Sequence, residues 1–274
     1  MWGCFPIYWA LLNHVNPSEV LVHRMLWSVP VLFFLVNFKP SWRLNFKESL
    51  SSKKELVFLL ITAILITINW GGYILAVNLG RVVEASMGYF LSPVINMIGG
   101  YIFFHERISK LKQLAVLFAT VGALYYVFSG DSFPWLGFLV GFTFSAYGIA
   151  RKAMASSAVP GLYIETLILL PFFLIFSIWF YLNFDVSFLN VDISTDVLLF
   201  LAGAVTVIPL ALFNAGAKLL PMTTVGILFL ITPTLQFLVG YYLQNEAVNS
   251  NQLIGFVGVW TGLIMYSYGL IKDK

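Results

Sequence analysis

Apolar runs of about 20 residues follow one another along the chain, broken only by short polar stretches. Nearly every run is long enough to cross a hydrocarbon core of roughly 30 Å as a helix. The pattern predicts ten spans, over 1–12, 20–38, 55–78, 82–104, 111–129, 134–150, 161–182, 196–217, 222–243 and 252–271. The alternation of a membrane strand is absent, so a helical bundle is predicted rather than a β-barrel. The longest connections, 39–54 and 183–195, leave no room for a separate soluble domain. The first run is the exception in length. Its 12 residues make about 18 Å of helix, so either the true start lies upstream of Met1 or the first helix is half-length here, and a truncated first helix is the favoured expectation.

Composition turns this pattern into a class. The chain is 60% hydrophobic and 10% charged, whereas a soluble domain carries roughly a quarter charged residues. Too few charges are present to solvate a globular surface. The net charge of +3 sits in the inter-span loops and is no nucleic-acid signal. One cysteine, Cys4, permits no internal disulfide. The N-terminus has neither the basic region nor the small-residue site of a cleavable signal peptide.

The fourth and ninth spans are related. A gapless shift of 140 places Pro93 on Pro233, Gly100 on Gly240, Tyr101 on Tyr241 and Glu106 on Glu246. It continues through Gly122 on Gly262 and Tyr126 on Tyr266, with Ser92 and Thr232, and Asn96 and Gln236, alike in kind. The matches fall on a kink, a small-residue contact and a helix-end carboxylate, as in a duplicated bundle. The chain then divides into two repeats of five spans, 1–131 and 132–274.

Charge tests that division. Alternate loops carry Lys39, Arg43, Lys47, Lys53 and Lys54, then Arg107, Lys110 and Lys112, then Arg151 and Lys152, Lys218, and Lys272 and Lys274. The basic side is read as cytoplasmic, with the C-terminus inside. Five spans is an odd number, so the second repeat must be inverted and its loops must differ in charge from their counterparts. They do. The basic run 107–112 corresponds to 247–252 and the basic loop 39–54 to 183–195, and neither counterpart holds a base.

Enzymatic constellations are absent. There is no nucleophile elbow, no metalloprotease motif, no phosphate-binding glycine loop and no cysteine pair. His14, His23 and His105 lack ligand spacing. No cofactor, metal site or catalytic residue is predicted. Ionisable residues inside spans are the functional candidates instead, because a mid-bilayer charge costs at least about 2.5–3.5 kcal/mol. Arg24 and Glu165 lie near the starts of the second and seventh spans, 141 positions apart. They are read as a gating or coupling pair facing one cavity from opposite ends; the alternative is two interfacial charges, with Arg24 snorkelling.

The third span holds Asn69-Trp70-Gly71-Gly72-Tyr73, where Asn69, Trp70 and Tyr73 share a helical arc and the glycines permit close approach or unwinding. Amides beside aromatics suit a zwitterionic or aromatic solute; helix-packing hydrogen bonds are the alternative. Pro209 is the counterpart of Asn69, so an irregularity is expected in both helices, with Asn214 nearby. Glu84 is placed at the outer start of the fourth span, as a helix cap or a proton-coupling group. Glu106 and Glu246 are read as loop anchors. Small residues at Ala115/Ala119/Ala123, Gly137/Gly141 and Gly258/Gly262 recur every four positions, which signals helix packing.

Several stretches resemble the RarD proteins, the chloramphenicol-sensitivity permeases of the EamA branch of the drug/metabolite transporter superfamily. They are His23-Arg24-x-x-Trp27-Ser28, Asn69-Trp70, Ala76-Val77-Asn78, Glu84-Ala85-Ser86-x-Gly88-Tyr89-Phe90, His105-Glu106-Arg107, Tyr147-Gly148-x-x-Arg151-Lys152, Ile164-Glu165-Thr166 and the Pro209 segment. The resemblance implies ten helices in two inverted repeats, alternating access and a bacterial inner-membrane location. It also implies a longer first helix, begun upstream. Where the family has Gly before the helix-end Glu, this chain has His105.

The reading is therefore an all-α membrane protein and a secondary transporter, exporting a small metabolite, amino acid or drug-like solute. Asn69, Trp70, Tyr73, Asn96, Asn214 and Gln236 are expected to line its cavity, with Arg24, Glu165 and Glu84 gating or coupling. Its partners are the solute and the lipid bilayer, protons are the candidate coupling ion, and no nucleic acid is involved. The rivals are a non-transporting membrane protein, such as an intramembrane enzyme or complex subunit, and an uncoupled facilitator.

Overall fold

The computed structural model describes residues 1–79, 88–128, 135–243 and 250–272, and among these all regular structure is helical. The helices are α1 (Phe5–Ala10), α2 (Pro17–Phe38), α3 (Pro40–Ser51), α4 (Lys53–Asn78), α5 (Ser92–Phe104) and α6 (Lys110–Phe128). They continue as α7 (Trp135–Ala153), α8 (Ala158–Asn183), α9 (Ile193–Leu219), α10 (Met222–Phe229), α11 (Ile231–Leu243) and α12 (Ser250–Lys272). Short 3₁₀ turns occupy Trp2–Cys4 and Gly88–Leu91. Among the described residues six helical segments are long and apolar enough to cross a membrane: Pro17–Phe38, Lys53–Tyr73, Ala158–Asn183, Ile193–Leu219, Met222–Val239 and Leu253–Lys272. Gly88–Phe104 is a shorter apolar segment.

Local chemistry sets the ends. The Asn16 side chain accepts from Ser18 N–H at 2.9 Å and Pro17 opens α2, where its missing N–H costs nothing. At the end of α5, His105 adopts the left-handed region at φ 52°, and Glu106 N–H closes onto Gly100 O at 3.0 Å. That position favours glycine.

The structure differs from the sequence pattern in two respects. Residues 39–54, read as a connection, hold α3, which is too short and too polar to register as a span. The expected irregularities at Gly71-Gly72 and Pro209 are also absent: α4 runs unbroken through the glycines and α9 through the proline. Departures from α-helix lie elsewhere, in the Gly88–Leu91 3₁₀ turn that opens onto α5 and at Leu230 between α10 and α11. By the 140-residue shift 88–91 corresponds to 228–231, so these two departures fall at matching places. Each is followed within three residues by a proline, Pro93 or Pro233, whose missing N–H suits the first turn of a new helix.

The chain folds as two compact units. One comprises Met1–Ile7, Ile66–Ile149 and Leu219–Lys274; the other comprises Tyr8–Leu65 and Ala150–Lys218. Each unit draws on both sides of residue 131, so packing interleaves the two halves proposed from sequence.

In the first unit α6 and α12, counterparts by the shift, pack along one another more extensively than any other pair. The stripe of small residues makes this possible. A Cβ at Gly262 would lie 2.5 Å from Ala115 O, and one at Gly258 would lie 2.7 Å from Gly122 Cα. With no hydrophobic drive between helices in lipid, such backbone contact supplies the association. In the second unit the counterparts α2 and α8 form the main pair. They run antiparallel, since the start of α2 meets the end of α8 where His23 Nε2 lies 3.1 Å from Tyr181 Oη.

Three carboxylates fasten connections to distant helices. Glu19, fully buried, accepts from Ser187 N–H (2.8 and 3.0 Å) and Phe188 N–H (2.9 Å). Glu55 accepts from Ala155 N–H (3.1 Å) and Ser156 N–H (2.9 Å). Glu106 accepts from Met222 N–H at 2.7 Å and Thr223 N–H at 3.3 Å, at the start of α10. It is the loop anchor expected from sequence, and it acts as a helix cap. Glu246 lies outside the described residues.

Candidate functional site

The unit built on α6 and α12 holds both the Gly88–Leu91 turn and Leu230. Tyr89, in the 3₁₀ turn, and Phe229, at the end of α10, are counterparts by the shift, and their ring centroids lie 5.4 Å apart, edge to face. Phe144 of α7 and Trp2 complete the cluster: Phe144 is 5.0 Å from Phe229 and 5.9 Å from Tyr89, and Trp2 is 5.6 and 5.5 Å from Phe144 and Phe229. The 3₁₀ turn reaches this place because Gly88 and Gly141 meet backbone to backbone. A Cβ on Gly88 would lie 1.9 Å from Gly137 O. Sequence reasoning picked out the Gly137/Gly141 spacing but not the rings it seats.

Five predicted cavity residues belong to this unit. Asn69 is buried and gives its amide N–H₂ to Val140 O at 2.8 Å and Thr143 Oγ1 at 3.3 Å, tying α4 to α7. Tyr73 packs on Ala76, Leu136 and Val140 beside it, and Trp70 is half-buried. Gln236 reaches back to Trp2 O at 3.3 Å. Asn96 is different. It is buried one turn after Ser92, against Gly226 of α10, and Asn96 Oδ1 and Ser92 Oγ both lack a hydrogen-bond partner among the described residues. These two unmet buried polar atoms lie one turn apart on α5, just after the Gly88–Leu91 turn, and each can accept from a donor.

The unit built on α2 and α8 holds Arg24, Glu165 and Asn214. Arg24 donates through Nε to Thr206 Oγ1 at 3.0 Å and lies over the Trp9 ring, 5.1 Å from its centroid. Glu165 is 1% exposed and accepts from Thr62 Oγ1. Its ionic partner is Arg151 Nη1, at 3.6 Å, not the Arg24 entertained from sequence. Arg24 lies beside the Tyr181 end of α8, and Glu165, 16 residues earlier, is about 24 Å away along the axis. Asn214 is fully buried within α9.

Arg151 is the residue that sequence reasoning misplaced. Beside Lys152 it reads as a solvated loop base, yet it is wholly buried. The 154–157 connection turns back over it, so that Arg151 donates to Ser156 Oγ at 3.2 Å and to the carbonyls of Ser157 and Ala158 at 3.1 Å each. Gly161 leaves the necessary room, since a Cβ there would lie 2.1 Å from Arg151 Nη1. Arg151 Nε has no partner among the described residues. A paired charge at this depth is costly to desolvate and strongly disfavoured once either partner is removed.

A pocket of about 390 Å³ opens in the same unit, lined by His23, Leu26, Trp27, Ser177, Tyr181 and Phe188 among others. Trp27 Nε1 donates to His23 Nδ1 at 3.0 Å, which leaves the imidazole proton on Nε2, facing Tyr181 Oη. Glu84, the remaining predicted residue, lies outside the described residues, as do most of the Glu84–Phe90 run and the Asn78 side chain.

The model of the EamA-like transporter family matches residues 1–128. The chain is 35% identical over 277 residues to the uncharacterized transporter YojE of Bacillus subtilis, covering 100% of this chain and 92% of that protein. It is 33% identical over 269 residues to Protein RarD of Escherichia coli K12, covering 97% and 90%. One crystal structure superposes with a TM-score of 0.71 at 16% identity, over 97% of this chain and 92% of the other; that likeness concerns the fold.

Proposed function

The chain belongs to the RarD family, in the EamA branch of the drug/metabolite transporters, and on that premise we propose that it is a secondary transporter moving a small metabolite, amino acid or drug-like solute outward by alternating access. A multi-pass membrane transporter is what the family and the apolar spans support; substrate class, direction and mechanism are the proposal. It is a carrier, not an enzyme. The basic loops face the cytoplasm with the C-terminus, and the two inverted repeats meet near residue 131.

The observation that carries this reading is a departure from α-helix at matching positions of the two repeats, the Gly88–Leu91 3₁₀ turn that opens onto α5 and Leu230 between α10 and α11. Irregular backbone at corresponding places in two repeats is a feature of substrate sites in secondary transporters, because within a membrane such backbone is tolerable only where protein buries it or it lines a cavity. The aromatic cluster and the acceptors of Ser92 and Asn96 supply stacking surface and polarity there. Of the predicted lining residues Asn96 and Gln236 stand nearest this role, Trp70 and Tyr73 flank it, and Asn69 and Asn214 act as packing amides. Glu165, held by Arg151 and Thr62, is the coupling carboxylate, and protonation would release Arg151. Arg24 is a gate residue, and Glu84 remains a second coupling candidate.

The test is flux in proteoliposomes. Labelled amino acids and chloramphenicol-like drugs are offered with and without an imposed pH gradient, for wild type, Asn96→Ala and Glu165→Gln. Gradient-driven flux that Glu165→Gln abolishes and Asn96→Ala weakens supports the coupled carrier. The close pairing of Glu165 favours one rival, an uncoupled facilitator in which Arg151–Glu165 is a structural tie. Flux indifferent to the gradient and to Glu165→Gln selects that rival.

A further inference from the structure

The connection between α2 and α4 carries Lys39, Arg43 and Lys47, with Lys53 and Lys54 following on the first turn of α4; all five bases are exposed, as is one acid, Glu48. Most of it is the helix α3, whose attachment is unusually tight. A single extended residue joins it to each neighbour: Lys39 (φ −117°, ψ 119°) to the end of α2, and Ser52 (φ −95°, ψ 109°) to the start of α4. Both neighbours are membrane-length. One residue spans at most about 3.6 Å, so α3 is pinned at the level where those helices leave the hydrocarbon.

Its inner face is settled by contacts. Asn45 Oδ1 accepts from Ser157 N–H at 2.7 Å, Phe46 stacks on Tyr163 with centroids 5.2 Å apart, and Ser49 is buried. At 3.6 residues per turn the opposite arc carries Arg43 and Lys47, flanked by Leu44 and Leu50. Leu44 is 62% exposed, Leu50 43% and Phe38, at the mouth of the connection, 88%. Exposed leucines alternating with bases suit neither water nor hydrocarbon. They suit the boundary between them, with apolar side chains dipping inward and cations reaching the headgroups.

We propose that α3 and its two flanking lysines, Lys53 and Lys54, form a binding site for anionic phospholipid headgroups. The apolar residues set its depth, and Arg43, Lys47, Lys53 and Lys54 supply charge complementary to phosphate. The counterpart connection, 183–195, has no base, so the site belongs to one side of the bilayer only. It rests on the chain spanning a membrane, not on what the chain transports.

Trp42, on α3 with Lys39 Nζ 5.6 Å from its ring centroid, is a local reporter. Full-length protein in lipid bilayers is titrated with brominated phosphatidylglycerol or brominated phosphatidylcholine, and the quenching assignable to Trp42 is taken by difference from Trp42→Phe. Phosphatidylglycerol is expected to quench at a lower mole fraction than phosphatidylcholine. The triple variant K47Q/K53Q/K54Q should weaken this preference by roughly five-fold per charge removed, and 0.5 M salt should weaken it in the wild type. K110Q/K272Q, which alters bases elsewhere, should leave it intact. Equal quenching by both lipids in the wild type, or a preference retained in the triple variant, overturns the site. Displacement of the lipid by millimolar glycerol phosphate would overturn it as well, by identifying a soluble-anion site. If the triple variant melts early, the salt dependence of the wild type decides.

Discussion

Tyr89 and Phe229 stand 140 positions apart in the chain and meet edge to face, 5.4 Å between centroids, Tyr89 in the 3₁₀ turn that opens onto α5 and Phe229 at the end of α10. Residues that correspond by the repeat shift are thus in contact where α5 begins and α10 ends. Edge-to-face rings gain about 0.5–1.5 kcal/mol beyond the area they bury. The first prediction is a double-mutant cycle: Tyr89→Ala and Phe229→Ala each destabilise, and the double variant destabilises by about 0.5–1.5 kcal/mol less than their sum. Denaturant titration in mixed micelles measures it, and strict additivity would show that the two rings do not act together.

Arg151 and Glu165 behave differently because both are charged and buried. Glu165→Gln or Arg151→Met alone should cost about 3–5 kcal/mol, since each strands the other group. The variant R151M/E165Q should recover a large part of that loss. Melting temperatures of the three proteins check this; a double variant as unstable as the sum of the singles would rule out the pair.

Two glycines in one unit separate backbone approach from mere tolerance. Gly88→Ala puts a methyl 1.9 Å from Gly137 O, which the backbone cannot yield, so a loss at or above the usual overpacking range of about 1–3 kcal/mol is expected. Gly71 has nothing within 4 Å of the same added atom. Gly71→Ala should stabilise by up to about 1 kcal/mol through helix propensity. Expression and melting of the two variants should move in opposite directions.

His105 holds a left-handed conformation at φ 52°. His105→Gly should raise stability by about 1 kcal/mol, while His105→Val should lower it by at least as much. A melting temperature unchanged by both would mean the backbone relaxes there.

Asp192 precedes α9, and the N–H of Thr195 donates to it at 2.7 Å, holding this exposed carboxyl below its ordinary value of 3.8. The ionised form is the bonded one. Its stabilisation is complete above the ordinary value and is lost as pH falls through the lower folded value. Between pH 6 and pH 3 the melting temperature of Asp192→Asn should therefore fall less steeply than that of the wild type; parallel curves would mean the cap contributes nothing.

Much of the fold was legible because bilayer length is a coarse filter. Runs such as 161–182 and 196–217 register on it without tertiary information and return as α8 and α9. The spacing of Gly258 and Gly262 marked a packing face for the same reason, since small residues every four positions signal close helix contact in lipid, although which helix would meet it came from the structure. The site was less legible. Arg151 reads as a loop base because its burial depends on a connection, 154–157, folding back over it, and nothing local to Arg151 records that. The α3 helix carries its pattern on Asn45, Phe46 and Ser49, too few residues to stand out beside membrane spans. Pro209 suggested a break, but a membrane helix tolerates proline when neighbours satisfy the freed carbonyl. The departures from α-helix that the structure does show precede Pro93 and Pro233.

The three fastening carboxylates also set a timetable. Glu19, Glu55 and Glu106 all precede residue 131, and the amides they bind, at 155–156, 187–188 and 222–223, all follow it. During synthesis at about 5–20 residues per second, Glu19 waits for Ser187, 168 residues later, or roughly 8–34 s. Until then the carboxylate of Glu19, buried in the finished protein, has no amides to accept from at 187–188, so the start of α2 takes its final environment only in the second half of synthesis.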